Sequence, residues 1–181
     1  CASVPLWFVI AMASAQTGQK QSPPAPHGRL YPPVDLGLLE APDRDIWQKP
    51  DQIMDALGIA DGSVVADIGA GAGWFTIRLA RRVGPRGVVY AQDVQRQMLE
   101  ATRRRVAKEG LTNVQTRLGT RCCDTGLPAH SIDAVLIVDV YAEVDDRVAF
   151  LKSVATALSP NGKIGIVNYK PGASGPGPGE R

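Results

Sequence analysis

The 181-residue chain has few of the residues that build metal centres and disulfide frameworks. It has two isolated histidines, His27 and His130, and three cysteines, Cys1 and the adjacent pair Cys122 and Cys123. Zinc sites need paired ligand spacings, and adjacent cysteines are poorly placed to bridge each other. The sequence therefore predicts no metal site, no disulfide framework and no histidine-centred triad.

An excess of charge of either sign is also missing. The 20 Lys and Arg residues nearly balance the 18 Asp and Glu residues, and both kinds are well mixed along the chain. The clusters Arg81-Arg82 and Arg103-Arg104-Arg105 fall in helical runs, where they are typical of solvated faces. Composition therefore predicts no nucleic-acid partner, and 44% apolar residues suit one globular domain with extensions.

The longest apolar stretch near the start of the chain, positions 5–13, is too short for a stable membrane span of about 20 residues. It has the length of a signal-peptide core and ends in Ala13-Ser14-Ala15, a small-x-small cleavage pattern. The chain starts at Cys1 without the basic segment that precedes such a core. We therefore expect a shortened export signal at 1–15 and an exported or periplasmic protein; a cytoplasmic protein with a stray apolar N-terminus is the alternative.

Composition divides the remainder into three parts. Positions 16–36 are rich in Gln and Pro and predict a linker, 37–170 carry the folded domain, and 171–181 form a Gly/Pro-rich tail. In the domain, the predicted strands are 64–66, 88–91, 114–118, 134–138 and 163–169, and the predicted helices are 52–57, 74–83, 95–109 and one with the apolar face Val144, Val148, Leu151, Ala155 and Leu158. Pro160-Asn161-Gly162 is the predicted turn into the last strand. This alternation predicts an α/β fold, a three-layer sandwich with a mostly parallel sheet.

The stretch Asp67-Ile68-Gly69-Ala70-Gly71-Ala72-Gly73 lies between the first strand and the next helix. Three alternate glycines make a tight bend in which a ligand can approach the backbone near the helix N-terminus. Ligands of parallel sheets bind at the carboxyl ends of the strands. Asp67, Asp93, Gly119-Thr120 and Asp139 all fall at such ends, so one cleft is predicted to collect them.

Two neighbours of the loop indicate which ligand it takes. A dinucleotide loop needs a small residue at position 74, where this chain has Trp74. The Asp67 carboxylate suits a ligand with an ammonium group and no phosphate, and Asp93 suits two ribose hydroxyls. An NAD-dependent oxidoreductase is disfavoured but stays open.

These residues resemble the class I S-adenosylmethionine-dependent methyltransferases, over roughly positions 43–170. The resemblance rests on the glycine loop, Asp93, Leu127-Pro128 before Ser131-Ile132-Asp133, the strand ending at Asp139, and Leu158-Ser159-Pro160-Asn161-Gly162. The segment Trp47-Gln48-Lys49-Pro50 is similar to a bacterial subgroup whose members often carry an export signal.

The resemblance implies a Rossmann-like fold, S-adenosyl-L-methionine as cofactor, and methyl transfer to an acceptor that is a small molecule. It implies that the glycine loop holds the methionine end, Asp93 the ribose, and the loop near Thr120 the adenine. The expected cofactor-binding residues are Asp67, Gly69, Ala70, Gly71, Gly73, Asp93, Val94, Thr120 and Asp139. Tyr141 and Glu143 follow the fourth strand and are the candidates for acceptor contact and catalysis; a packed Tyr and a helix-capping Glu are the alternative.

The chain departs from the family pattern in two places. The subgroup usually has Tyr-His-Glu or Tyr-His-His where this chain has Tyr141-Ala142-Glu143, so a cofactor-binding domain without catalysis is an alternative function. The family fold has two further strands after the fifth, for which the Gly/Pro-rich end is unsuited. We therefore expect a chain shortened at both ends, with residues 164–167 as an apolar sheet edge that makes it poorly soluble or unstable alone.

The cleavage pattern gives a direct test of export. Protein purified from the source cells is expected to begin at Gln16, as read by N-terminal sequencing or intact mass. The double substitution Ala13→Asp and Ala15→Asp is expected to block this cleavage, because the processing site accepts small residues at these positions. Mature protein that retains residues 1–15 would contradict the predicted signal.

Overall fold

The computed structural model describes residues 42–120 and 123–168, together with the isolated positions 30 and 32. The predicted export signal, nearly all of the 16–36 linker, Cys122 and the 171–181 tail lie outside the described residues. No helix of the described part is long and apolar enough to cross a membrane.

Five strands alternate with helices along the chain. The helices are α1 (Arg44–Gln48), α2 (Pro50–Leu57), α3 (Trp74–Val83), α4 (Arg96–Lys108) and α5 (Arg147–Ala157). The strands are β1 (Val64–Ile68), β2 (Val88–Asp93), β3 (Val114–Leu118), β4 (Ile132–Val138) and β5 (Leu158–Val167), and a short 3-10 helix (Tyr141–Glu143) follows β4. Helix α1 was not predicted, and the other elements lie within a few residues of their predicted positions except at α5 and β5.

The sheet has the strand order β3-β2-β1-β4-β5, and every neighbouring pair is parallel. Met54 of α2 and Leu79 of α3 are buried in the core on one face, and Phe150 of α5 is buried in the core on the other. The predicted three-layer α/β sandwich is confirmed. The order reverses between β1 and β4, and a crevice opens at such a reversal outside the carboxyl ends of the strands.

The central strands are apolar because both of their faces are covered. Val65 and Ala66 of β1 are fully buried, and Val135 and Leu136 of β4 are at most 1% exposed, although neighbouring residues in a strand point to opposite faces. The continuous apolar run in β4 is therefore that of a central parallel strand, as predicted.

The predicted apolar face of α5 is wrong at two of its five residues, whereas Val144, Leu151 and Leu158 are partly buried against the core. Val148 is 67% exposed and Ala155 is exposed, whereas Phe150, Val154 and Ala157 are buried against the sheet. Phe150 has the largest apolar side chain of this helix, so the face that contains it removes more apolar area from water. The helix also begins later than predicted, after Asp146, which accepts a hydrogen bond from the Ala149 N–H at 2.9 Å as an N-cap.

The predicted turn at Pro160-Asn161-Gly162 is also wrong, because these residues belong to β5. Leu158 pairs with Ile132 and Lys163 pairs with Ala134, so β5 has extra residues opposite β4. This irregularity is a bulge in the strand. A Cβ on Gly162 would lie 2.7 Å from the Ile132 carbonyl oxygen, so the bulge needs glycine at this position.

Strand β5 lies at one end of the described sheet, and its two faces differ. Gly165 faces Leu57 of α2, whose Cδ1 lies 3.0 Å from the position of an added Cβ. Ile164 and Ile166 point to the other face and are 38% and 44% exposed. An apolar strand at a sheet edge offers both backbone hydrogen-bonding groups and apolar side chains to another molecule.

We predict that replacing Ile164 and Ile166 together by Lys lowers self-association of the chain severalfold, because charge at an edge strand opposes strand pairing. Light scattering over a concentration series measures the effect. Val148→Lys is the matched control, since it adds the same charge at an exposed apolar residue away from the edge. Equal scattering by the double variant and this control would show that β5 does not cause association.

Candidate functional site

The loop 69–73 joins β1 to α3 and turns at alternate residues. Gly69, Gly71 and Gly73 have φ values of 74°, 56° and 83°, in the left-handed region that favours glycine. A Cβ on Gly69 would lie 2.2 Å from Cγ2 of Val140, whereas a Cβ on Gly71 would meet nothing within 4 Å. Packing against the segment after β4 therefore requires glycine at 69, while the space beside Gly71 is open to a ligand.

The backbone of this loop is fixed by β2 and α4. The Gln92 carbonyl oxygen accepts hydrogen bonds from the N–H groups of Gly69 and Ala70, each at 2.9 Å. The Thr102 hydroxyl of α4 donates to the Gly71 carbonyl oxygen at 2.7 Å. The loop therefore keeps its shape through contacts with two other elements of the fold.

Asp93 ends β2 and joins that strand to the loop. Its Oδ2 accepts from the Gly71 N–H at 3.0 Å, and its Oδ1 accepts from the Gln95 N–H at 2.9 Å. Burial raises the pKa of Asp93, and hydrogen bonds from the Gln95, Gly71 and Val94 N–H groups oppose this shift. A carboxylate has about four acceptor positions, so Asp93 retains capacity for at least one further donor beyond these N–H groups.

Asp67 lies inside β1, one residue before the strand ends, and is 3% exposed. The Thr76 hydroxyl of α3 donates to its Oδ2 at 2.6 Å. Burial raises the pKa of Asp67 to about 6, and the Asp93 carboxylate adds to the shift, while the Thr76 hydrogen bond and the Arg44 charge oppose it. The site therefore contains a deeply buried carboxyl with a cation within electrostatic reach.

That cation belongs to α1, which packs beside the start of α3. Cζ of Arg44 lies 4.2 Å from the centroid of the Trp74 ring, and Cζ of Arg78 lies 3.6 Å from the same centroid. Arg78 also donates two hydrogen bonds to Asp45, at 2.9 and 2.7 Å. Trp74 is 7% exposed, so this large residue is a packing centre between α1 and α3.

The loop after β3 adjoins the end of β2. The Gly119 N–H donates to the Asp93 carbonyl oxygen at 3.1 Å, which places Thr120 beside this strand end. The Thr120 hydroxyl accepts from the Asp124 N–H at 3.0 Å, and the Thr120 N–H donates to the Asp124 carbonyl oxygen at 2.9 Å. Thr120 therefore closes a turn of its own loop next to Asp93.

The segment after β4 begins with an unusual backbone conformation. Asp139 has a φ of 56°, a value that costs about 1 to 2 kcal/mol for a residue with a Cβ, and its N–H donates to the Val167 carbonyl oxygen at 2.8 Å. Residues with such strain often lie at functional sites. This turn places Val140 against Gly69 and starts the 3-10 helix.

Tyr141 packs against α5. Its ring centroid lies 6.5 Å from that of Phe150, and Cζ of Arg147 lies 5.5 Å from the Tyr141 centroid. This contact fits the packing role that was the alternative for Tyr141. Ala142 is exposed and Glu143 is half-buried in the same short helix. The roles of Tyr141 and Glu143 toward an acceptor stay predictions.

The structure brings most of the predicted site residues to one edge of the sheet. Direct contacts join Gly71 and Gly119 to Asp93, and Gly69 to Val140 beside Asp139. Within residues 42–120 and 123–168, no group of three His, Cys, Asp or Glu side chains could hold a metal ion.

Sequence reasoning missed the supporting residues Arg44, Thr76, Gln92 and Val140. The available signal for Thr76 was a polar residue at a position expected to face the core.

Comparisons with known proteins agree with this geometry. Residues 65–162 match a family model described as a methyltransferase domain. Nocamycin O-methyltransferase of Saccharothrix syringae is 33% identical over 120 residues, which are 66% of this chain and 42% of that protein. A ubiquinone/menaquinone biosynthesis C-methyltransferase of Pasteurella multocida is 27% identical over 124 residues, 68% of this chain and 46% of that protein. The chain thus spans less than half the length of either relative.

A solved structure has the same fold over most of the chain. It is an S-adenosylmethionine-dependent methyltransferase from Aquifex aeolicus, with a TM-score of 0.77 and 28% identity, covering 82% of this chain and 78% of that one. The range of the family model includes the glycine loop, Asp93, Thr120 and Asp139. The chain therefore belongs to the class I S-adenosylmethionine-dependent methyltransferases, the family that its glycine loop and Asp93 predicted.

Proposed function

We propose that this chain binds S-adenosylmethionine at the carboxyl ends of β1, β2 and β4 and transfers its methyl group to a small-molecule acceptor. The observation that carries the proposal is the hydrogen bond of 3.0 Å between the Gly71 N–H and the buried Asp93 carboxylate, beside the open space at Gly71. This contact places a carboxylate, which can accept hydrogen bonds from ligand hydroxyls, next to a backbone that a ligand can approach closely.

The residues of the site fit the chemical groups of the cofactor. When bound, S-adenosylmethionine supplies a methyl group on a positively charged sulfur. The remaining acceptor capacity of Asp93 suits the ribose hydroxyls, and Asp67 provides negative charge for the ammonium of the methionine end. Thr120 and Val94 flank the end of β2, where we expect the adenine to lie.

The acceptor site is proposed to lie along the segment after β4. Methyl transfer from a sulfonium depends mainly on holding the acceptor in line with the departing sulfur, which supplies several kcal/mol without a strong base. Ala142 therefore argues against a histidine base at this position, but methyl transfer does not depend on such a base. We propose that Tyr141 and Glu143 contact the acceptor.

Two relatives support a small-molecule acceptor but differ in the atom that is methylated. One is named as an O-methyltransferase and the other as a C-methyltransferase. These relatives therefore do not indicate which kind of atom this chain methylates. A cofactor-binding domain without catalysis is the second candidate, because Ala142 stands where the resembling subgroup has histidine. Family membership gives no support to the NAD-dependent alternative.

We predict that Asp93→Ala weakens binding of S-adenosylhomocysteine, the demethylated cofactor, by about 100-fold or more. Two hydrogen bonds to a charged acceptor are worth about 1.5 kcal/mol or more each, and 1.4 kcal/mol corresponds to a factor of ten. Calorimetric titration measures the loss, with NAD as a comparison ligand that is expected to give no heat.

Asp133→Asn is the matched control for this variant. Asp133 also accepts a backbone hydrogen bond, from the Val64 N–H at 2.8 Å, but it lies near the amino end of β4, away from the carboxyl ends of the strands. Unchanged affinity in Asp93→Ala, or an equal loss in both variants, would overturn the site. Cofactor binding without methyl transfer to a panel of phenol, amine, thiol and quinol acceptors would favour the binding-only candidate.

The Asp67 pKa gives a prediction about stability. Because the pKa rises from 3.8 to about 6 on folding, the folded state binds this proton more tightly, and the stability present below pH 3.8 is lost as the pH rises through 6. Asp67→Asn removes this titration and keeps an oxygen acceptor for Thr76. The difference in unfolding free energy, variant minus wild type, is expected to increase by roughly 2 kcal/mol between pH 4 and pH 7.

Denaturant unfolding at several pH values measures this increase. The change with pH is the relevant quantity, because the pKa of about 6 already includes the attraction of Arg44 for the ionised carboxylate, whereas effects of the substitution on packing do not vary with pH. Asp133→Asn again serves as the control. A difference that does not vary between pH 4 and pH 7 would show that Asp67 is ionised as readily in the folded chain as in the unfolded one.

A further inference from the structure

Arg147 begins α5, shortly after the segment that is proposed to contact the acceptor. It is exposed, yet its guanidinium turns back toward the 3-10 helix. Its Nη2 donates to the Ala142 carbonyl oxygen at 3.2 Å, and its Cζ lies 5.5 Å from the Tyr141 ring centroid. The other guanidinium N–H donors form no hydrogen bond within the described part of the chain. A planar guanidinium held in this way can bind an anionic oxygen beside the ring.

The position of Arg147 is unfavourable for a cation unless an anion lies nearby. The N-terminus of a helix is the positive end of its dipole, and Arg147 is the first residue of α5. Arg78 on α3 forms an ion pair with Asp45, whereas no carboxylate of the described residues lies within ion-pair distance of Arg147. The preceding Asp146 instead accepts the Ala149 N–H with its Oδ1. An anionic ligand would therefore supply the charge partner that the described residues do not provide.

The described part of the site has no imidazole that could remove a proton from the acceptor. Within residues 42–120 and 123–168 the one histidine is His130, which precedes β4 at the amino end of that strand. An oxygen acceptor must lose its proton before or during methyl transfer. An acid that is already ionised at neutral pH needs no such base, and its negative charge suits both the guanidinium of Arg147 and a sulfonium.

We propose that the methyl acceptor is an oxygen acid that is ionised at neutral pH, and that Arg147 binds its anionic oxygen beside the Tyr141 ring. The inference rests on the proposed function, because it names the class of acceptor for the same site. In the reaction the anionic oxygen forms a bond to the methyl carbon, the bond between that carbon and sulfur breaks, and its electron pair stays on sulfur. No proton is released, and the anion and the sulfonium both become neutral.

Two pairs of aromatic probes test the preference for an anion on the chain loaded with S-adenosylhomocysteine. At pH 8, 4-nitrophenol is ionised at its phenolic oxygen, and 4-nitroanisole is its neutral methyl ether. Benzoate carries its charge on a carboxylate, and benzamide is its neutral counterpart. The wild-type chain is expected to bind at least one anion about threefold to fivefold more tightly than its neutral counterpart, the contribution of one exposed ion pair. The pair that shows the preference distinguishes an ionised phenol from a carboxylate as the acceptor.

Arg147→Gln is expected to abolish this preference and to leave the affinity for the neutral probes within about twofold. Arg147→Lys keeps the charge and is expected to retain part of the preference. Lys152→Gln is the matched control, because it removes an exposed positive charge from the same helix, and it is expected to keep the preference. A preference that persists in Arg147→Gln would overturn the proposal, since the loss of a residue that only holds the Ala142 carbonyl changes the binding of both probes of a pair alike.

Measurements on the wild-type chain decide the matter even if Arg147→Gln fails to fold. The Nε–H resonance of Arg147 in an NMR spectrum, assigned by its loss in Arg147→Lys, is expected to shift when the preferred anion is added and to stay in place with the neutral counterpart. An unshifted resonance, or equal affinity for both members of each pair, would overturn the inference while binding of S-adenosylhomocysteine leaves the proposed function intact. Failure to bind S-adenosylhomocysteine would overturn the proposed function together with this inference.

Discussion

The hydrogen bonds between the glycine loop and the end of β2 are the constraint on which the rest of the site depends. The Gln92 carbonyl oxygen accepts two loop N–H groups and the Asp93 side chain accepts a third. Backbone groups that are satisfied in this way need no side chain in the loop, which leaves the space beside Gly71 open. The parallel pairing of β1 with β2 brings the two chain segments to the same edge.

The charged groups of the site depend on the same packing. Asp67 is buried because β1 is covered on both faces, and α3 provides both its hydrogen-bond donor Thr76 and the Trp74 ring beside Arg44. A carboxyl and a guanidinium that are both shielded from water interact more strongly than the same groups at the surface. Burial therefore lowers the stability of the folded chain at neutral pH and strengthens the field that a charged ligand meets.

Much of the fold could be predicted from the sequence, and so could the position of the glycine loop near Asp93. The order of strand, turn and helix around the glycine loop is a local signal, and so is the acidic residue Asp93 at the end of a strand. The structure has both features at the predicted positions. The apolar face of α5 could be predicted only in part, since Leu151 packs against the core as predicted but the sheet covers the side of the helix with Phe150 rather than the side with Val148. The position of Arg44 on the Trp74 ring depends on α1 packing against α3, a contact between distant segments that no local pattern reveals.

The contact between Gly69 and Val140 links the two sides of the cleft. These residues are 71 positions apart in the chain (140 − 69), yet an added Cβ at position 69 would overlap the Val140 side chain at 2.2 Å. One position belongs to the loop for the cofactor and the other to the segment proposed for the acceptor. A side chain at position 69 would therefore require a smaller residue at position 140, in addition to the strain that a φ of 74° imposes on any residue with a Cβ.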